Sequence, residues 1–260
     1  MNNNIKQHFR KNEAPFLEYS DDLVNEVLSQ YRPILTNFIN PRQLYLLKTI
    51  VNHYNDVKLS YFGGSDNAEM QRAIIHPDYF QPQKQDFKLT LFNIDYPVKF
   101  NQINHSQILG TLMGTGIKRN VIGDIYTDGK IWQFLTEKEM EPYFRSQIDR
   151  VGRVKVGLES ENLSKLVQPI DEWHQSNGTV SSLRIDNIVS TGFHLSRKNS
   201  KILVKNGKIH VNWMICMHSD YELQIHDLIS VRGFGRLRID DVSGITKKNK
   251  IRIVIAKLKK

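Results

Sequence analysis

The sequence predicts an α+β protein built from several modules, and three observations carry that reading. Residues 86–159 run through strand-like and helix-like stretches in the order β-α-β-β-α-β. Residues 181–260 open with two short amphipathic helical stretches and continue into short strands separated by Gly, Asn and Asp turns. The positive charge is concentrated in that last segment. A chain of 260 residues accommodates two or three domains. The expected division is a mixed α/β module over 1–80, a second module over 81–160, a connection over 161–180 and a basic module over 181–260.

In the first module, "SDDLVNEVLSQYRPIL" offers Ser20 as a helix N-cap with acidic residues in the first turn. Pro41 suits the first turn of a helix whose Leu44, Leu47, Ile50 and Val51 recur at helical spacing. "DVKLSYFGG" reads as a strand ending in a Gly-Gly turn, and "SDNAEMQRAIIHP" as a helix stopped by Pro77.

In the second module, "FKLTLFNI" alternates as a strand, and "NHSQILGTLMGTG" reads as a helix closed by Gly116. "VIGDIYTDGKIWQFLT" reads as two strands around an Asp128-Gly129 hairpin. "TEKEMEPYFRSQI" reads as a helix opening at Thr136 with Pro142 early in it, and "RVKVGLE" as a last strand. That order is the ferredoxin-like, or RRM-like, arrangement. Trp132 and Phe134 share a strand face, where core packing is the expected role and base stacking the alternative.

The connection "SENLSKLVQPIDEWHQSNGTVS" is polar, with Pro, Gly and Ser. Beyond it, Ser182 is read as an N-cap and Gly192 as the C-terminal stop of a first short helix. Ser196 caps a second, which ends at Asn206-Gly207. Arg197, Lys201 and Lys205 fall at i, i+4 and i+8, with Lys208 just past the end, so one helix face is cationic. "KIHVNWMI" then alternates as a strand with Ile209, Val211 and Trp213 on one side, and Trp213 suits either core packing or base stacking.

Charge narrows the function. Residues 181–260 hold 16 Lys/Arg against 6 Asp/Glu, while residues 1–180 hold 20 against 21. A confined basic field attracts a polyanion, nucleic acid before an acidic membrane surface. No stretch of about 18 apolar residues suggests a membrane span. The start has no apolar core of a secretory signal, and one cysteine, Cys216, excludes an internal disulfide framework. The expected setting is the reducing cytoplasm.

Enzyme signatures are missing. "GTLMGTGIKR" lacks the Gly-Lys-Ser/Thr of a phosphate loop and the third glycine of a dinucleotide fingerprint, so a helix end and turn explain its glycines. His210, Cys216 and His218 have no zinc spacing, and Cys216 has no assignable base. No cofactor, metal or catalytic residue is expected. The alternative is an RNA-modifying enzyme whose active site, in the first 160 residues, carries no familiar signature.

The C-terminal residues resemble an S4 domain, a small RNA-binding module. Arg184-Ile185-Asp186 opens the first helix, Ser196-Arg197 the second, and Gly207 precedes Ile209-His210-Val211-Asn212. Asp227 precedes Ile229 and Val231, with His226 where the pattern usually has Gly. The resemblance implies two short helices and a small curled β-sheet. The whole chain is also similar to the YlmH family of S4-bearing proteins, through "YFGGSDNAEMQR", "ILGTLMGTGIKRNVIGDI" and "SVRGFGRLRI…GITKKNKIRIVI". That resemblance implies association with the large ribosomal subunit and a role in rescuing obstructed subunits that retain peptidyl-tRNA.

The expected protein is a non-enzymatic monomer that docks on structured RNA, foremost large-subunit rRNA, with tRNA as a further candidate and neither membrane nor DNA as partner. Phosphate contacts are expected from Arg184, Ser196, Arg197, Lys198, Lys201, Lys205 and Lys208. Asn212 and Trp213 are expected at the sheet edge, and Arg232, Arg236, Lys247 and Lys248 as an extension of the cationic surface. Lys118 and Arg119 are candidates for secondary RNA contacts, or simply an exposed basic turn.

Overall fold

The computed structural model describes residues 9–168 and 173–259, the side chain of Lys259 excepted. The chain divides into two compact units, 1–170 and 171–260.

The first unit opens with helix α1 (Ala14–Gln30), which has Pro15 in its first turn and ends at Tyr31 in the left-handed region, φ 54°. Leu17, Val24 and Val27 form its buried stripe. The helix therefore starts six residues before the expected cap at Ser20. Ser20 is buried mid-helix, and its hydroxyl donates to the Phe16 carbonyl at 2.7 Å. Strand β1 (Ile34–Ile39) leads to helix α2 (Pro41–Val51). Asn40 caps α2 by accepting from the Gln43 amide at 2.9 Å, and Gln43 accepts from the Asn40 amide at 3.0 Å. Strands β2 (Val57–Phe62) and β3 (Gln71–Pro77) complete an antiparallel sheet in the order β1-β3-β2. The expected helix over 65–77 is thus corrected to a strand. As the central strand, β3 is buried along nearly its whole length, so "RAIIH" has no alternation to reveal it.

Strand β4 (Leu89–Asp95), helix α3 (His105–Gly114), strands β5 (Ile122–Thr127) and β6 (Trp132–Glu137), and helix α4 (Glu141–Gln147) follow. A small hairpin, β7 (Arg150–Val151) and β8 (Val154–Lys155), precedes β9 (Gly157–Glu161). The four-stranded antiparallel sheet has the spatial order β5-β6-β4-β9. Asp128 makes the β5–β6 turn by accepting from the Lys130 and Ile131 amides. Thr136 does not open α4: it lies buried in β6, its hydroxyl donating to the Val121 carbonyl. Phe92, Phe134 and Phe144 pack mutually on the helix side, with Trp132 at the edge of the same cluster.

The opposite face of that sheet is also covered. Leu91 and Leu135 are fully buried there. A Cβ on Gly123 would lie 2.8 Å from the Phe38 ring and 2.9 Å from Leu135. Asn37 donates to the Glu137 carboxylate at 2.8 Å, and the Asp124 carboxylate accepts from the Glu69 and Met70 amides at 2.6 and 3.1 Å. Residues 34–70 and the sheet therefore close into one body.

The second unit contains β10 (His174–Val180), helices α5 (Ile185–Phe193) and α6 (Arg197–Lys205), and strands β11 (Ile209–Val211), β12 (Met214–Ile215), β13 (Leu228–Val231), β14 (Gly235–Ile245) and β15 (Ile251–Lys259). One antiparallel sheet orders them β10-β15-β14-β13-β11-β12. The expected connection over 161–180 is corrected at both ends. Residue 161 closes β9, and 174–180 form an outer strand whose polar, exposed face hid it; 169–172 lie outside the described residues. Helix α5 starts at Ile185, with Arg184 rather than Ser182 at the N-cap. It ends at His194, φ 55°, rather than at Gly192. Gly192 serves packing: a Cβ there would lie 2.5 Å from Leu237 Cδ1. Ile185, Ile188 and Val189 meet Val204, Ile229, Leu237 and Ile255 in the core.

Candidate nucleic-acid interface

The site is organised by one buried carboxylate. Asp186, in the first turn of α5, is wholly buried. Its Oδ1 lies 3.4 Å from Arg184 Nε. Its Oδ2 lies 3.6 Å from Arg197 Nη2 and 3.9 Å from Lys201 Nζ. The three cationic side chains remain 36%, 53% and 48% exposed. An isolated buried carboxylate is strongly unfavourable, so the ring of cations stabilises it. In return it draws three cations that would otherwise repel one another to within ion-pair distance, its Oδ2 buried without a hydrogen-bond partner among the described residues, and leaves the cluster a surplus of two positive charges.

Helix spacing explains the convergence. Arg197 and Lys201 stand one turn apart on α6 and reach the same oxygen. Ser196 fixes the start of α6 by accepting from the Asn199 amide at 3.1 Å. Lys198, Lys205 and Lys208 are exposed, and none is ion-paired among the described residues. Lys208 adjoins the β13–β14 turn, where its carbonyl accepts from the Arg232 amide at 2.9 Å. The exposed Arg232 thereby joins the α6 end of the surface, while Arg236 is half-buried on β14.

Other expected contacts belong elsewhere. Asn212 spends its side chain internally, donating to Asp227 at 2.9 Å and accepting from the Leu228 amide at 3.0 Å. Asn212 and Trp213 form a two-residue hairpin loop with φ 48° and 67°, so the strand expected through Trp213 ends at Val211. Trp213 is half-buried. Its outlying φ is invisible in an alternation pattern. His226 takes φ 70°, the left-handed conformation for which glycine is the usual residue. Lys247 and Lys248 are exposed in the β14–β15 turn. They stand beyond the far end of an eleven-residue strand, on the order of 30 Å from the Arg232 turn. No ion pair among the described residues ties them to Asp186.

In the first unit, Lys118 is exposed, but Arg119 is committed to the backbone, donating to the Ile122 carbonyl and, at 3.2 Å, to that of Gly123. Any RNA contact by this unit must use edges, helices or loops, because both faces of the sheet are covered. Asp124 is half-buried, its two carboxylate oxygens accepting from the Glu69 and Met70 amides. Cys216 is buried, its Sγ 3.5 Å from the His218 carbonyl, and burial pushes its thiol up. Sequence patterns missed Trp173 and Arg238, whose guanidinium lies 5.1 Å from the indole centroid. Trp173 stands in the expected connection, where spacing assigns it no partner.

Two family models match. "YlmH, N-terminal" covers residues 12–80, and "Putative RNA-binding domain in YlmH" covers residues 82–165. The "Ribosome-associated protein quality control protein P2" of Bacillus subtilis (strain 168) is 37% identical over 255 residues, 98% of this chain and 99% of that protein. A solved structure titled "Cell division protein ylmH from Streptococcus pneumoniae" is similar with a TM-score of 0.54 and 34% identity. The match covers 62% of this chain and 98% of that one. Together the model matches span more than half of the sequence and the curated relative nearly all of it: the chain belongs to the YlmH family.

Proposed function

We propose that this protein is a non-enzymatic, cytoplasmic RNA-binding factor that acts on the ribosome as a monomer. Its C-terminal unit is read as an S4-type module and residues 81–160 as a ferredoxin-like one. The docking surface is the α5–α6 face, and the RNA is large-subunit rRNA, with tRNA held on that subunit as a second contact. The observation that carries this reading is the Asp186 cluster. One buried carboxylate gathers Arg184, Arg197 and Lys201 at the α5–α6 surface, and the exposed Lys198, Lys205, Lys208 and Arg232 add to its charge. Such a surface reads the spacing of phosphates more than base identity. The name of the Bacillus subtilis relative supports the ribosomal setting and a part in ribosome-associated protein quality control. Among the described residues, no helix is long and apolar enough to cross a membrane.

Crosslinking in cells with mapping of the RNA positions, beside sedimentation with separated subunits, tests the proposal. Crosslinks from the C-terminal unit to large-subunit rRNA and co-sedimentation with that subunit are expected. Crosslinks confined to messenger RNA, or migration free of both subunits, would contradict it.

A further inference from the structure

We infer that Phe234, at the β13–β14 turn, is a stacking platform for one unpaired RNA base at the border of the cationic face. This deepens the function proposed above and rests on it. The turn reads Arg232-Gly233-Phe234-Gly235-Arg236, and both glycines have positive φ, 91° and 122°. The Phe234 amide donates to the Val231 carbonyl at 3.0 Å, which makes Arg232 and Gly233 the tip of the turn and sets Phe234 at its closing position. Phe234 is 36% exposed, and it lies outside the hydrophobic core of its unit. Phe193, at the end of α5, braces it with centroids 5.7 Å apart and planes tilted by 52°. Lys257 holds Phe193 in turn, with Nζ 5.4 Å from that ring and 3.0 Å from the Gly192 carbonyl it donates to.

A lone exposed apolar residue needs no explanation; the placement of this one does. Asp186 and Phe193 are seven residues apart on α5, two turns, and so share one stripe of the helix, about 10 Å apart along its axis. The cations gathered at Asp186 and the aromatic pair therefore stand at the two ends of one helical stripe, within the reach of a short run of nucleotides. Arg232 adds a cation beside the ring and is tied through its amide to Lys208 at the end of α6. An aromatic ring flanked by cations suits a base splayed from a loop or bulge: phosphates bind the cations and the base covers the ring. A fully paired helix offers no free base face and engages the cations alone.

The full-length protein is titrated with an RNA hairpin carrying 2-aminopurine in its loop and with a blunt RNA duplex of equal charge. Wild type is expected to quench the 2-aminopurine emission. Phe234→Ala should lose that quench and at least about 5-fold in hairpin affinity, with duplex affinity unchanged. Phe234→Trp should retain both, and Phe234→Leu, which keeps apolar packing on Phe193, should behave like the alanine variant. Hairpin affinity and quench that are equal in wild type and in the Ala and Leu variants would overturn the stacking site and leave the cationic face standing. A wild type that binds neither RNA would overturn both.

Discussion

The Asp186 carboxylate, buried in the first turn of α5, lies 3.6 Å from the Arg197 guanidinium in the first turn of α6. The pair ties the starts of the two helices and sets the direction in which Arg197 and Lys201 leave the surface. Charge and position make opposite predictions for Asp186→Asn. Removing a negative charge should tighten RNA binding if net charge governs it. We expect weaker binding, because the cations lose their common anchor, with a loss of about 1–2 kcal/mol in stability. Filter binding and a thermal melt measure the two effects.

Gly192→Ala tests how closely α5 seats on the sheet. The new Cβ would stand 2.5 and 2.7 Å from the Leu237 methyl carbons and 3.2 Å from its Cγ, so the whole buried isobutyl group must move. A loss of about 1–3 kcal/mol is expected, read as a lowered melting temperature of the second unit. An unchanged melt would mean that the helix seats further out.

Asp124 gives the first unit a pH dependence. Burial pushes its carboxyl up to about 7, with the Glu69 charge adding to the rise; the Glu69 and Met70 amides and Arg119 oppose it. Tyr126 stands 3.4 Å away, its hydroxyl directed at the carboxylate. A carboxyl with a raised folded-state pKa contributes stability that is full below its unfolded value, near 4, and is lost as pH rises through about 7. Against Asp124→Asn, which cannot ionise, the wild type should therefore lose on the order of 2–3 kcal/mol between about pH 5 and pH 8. Paired denaturant melts at the two pH values measure this, and a constant difference would contradict it.

Lys247 and Lys248 separate local from bulk electrostatics. Replacing both with Gln changes net charge as much as replacing Arg197 and Lys201 with Gln. The Lys247–Lys248 pair should cost RNA affinity several-fold less, because Asp186 gathers Arg197 and Lys201, and not the turn lysines, onto the α5–α6 face. Equal losses in direct titrations would place the RNA along the whole β14–β15 hairpin.

Legibility of the fold follows local chemistry. Helix α2 is readable because Pro41 and the apolar spacing of Leu44, Leu47 and Ile50 agree, and the β5–β6 hairpin because Asp128-Gly129 encodes its turn. Strand β3 is not, because a central strand buried throughout carries no alternation, and β10 is not, because an exposed edge strand reads as polar linker. For the site, α6 spacing exposes the row of Arg197, Lys201 and Lys205. That Asp186 collects Arg184, Arg197 and Lys201 depends on the angle at which two helices meet, which no spacing rule supplies. Asn212 misleads for the converse reason: its polar side chain faces an internal partner, Asp227, fifteen residues away.

The most direct test of the central claim is the salt dependence of binding to a structured ribosomal RNA fragment, for wild type and for Arg197→Glu and Lys201→Glu. Removal of one cation–phosphate pairing should shallow the slope of log affinity against log salt by about 0.7–0.9 and weaken binding at low salt. Slopes and affinities that match wild type in both variants would show that RNA does not bind the face built on Asp186.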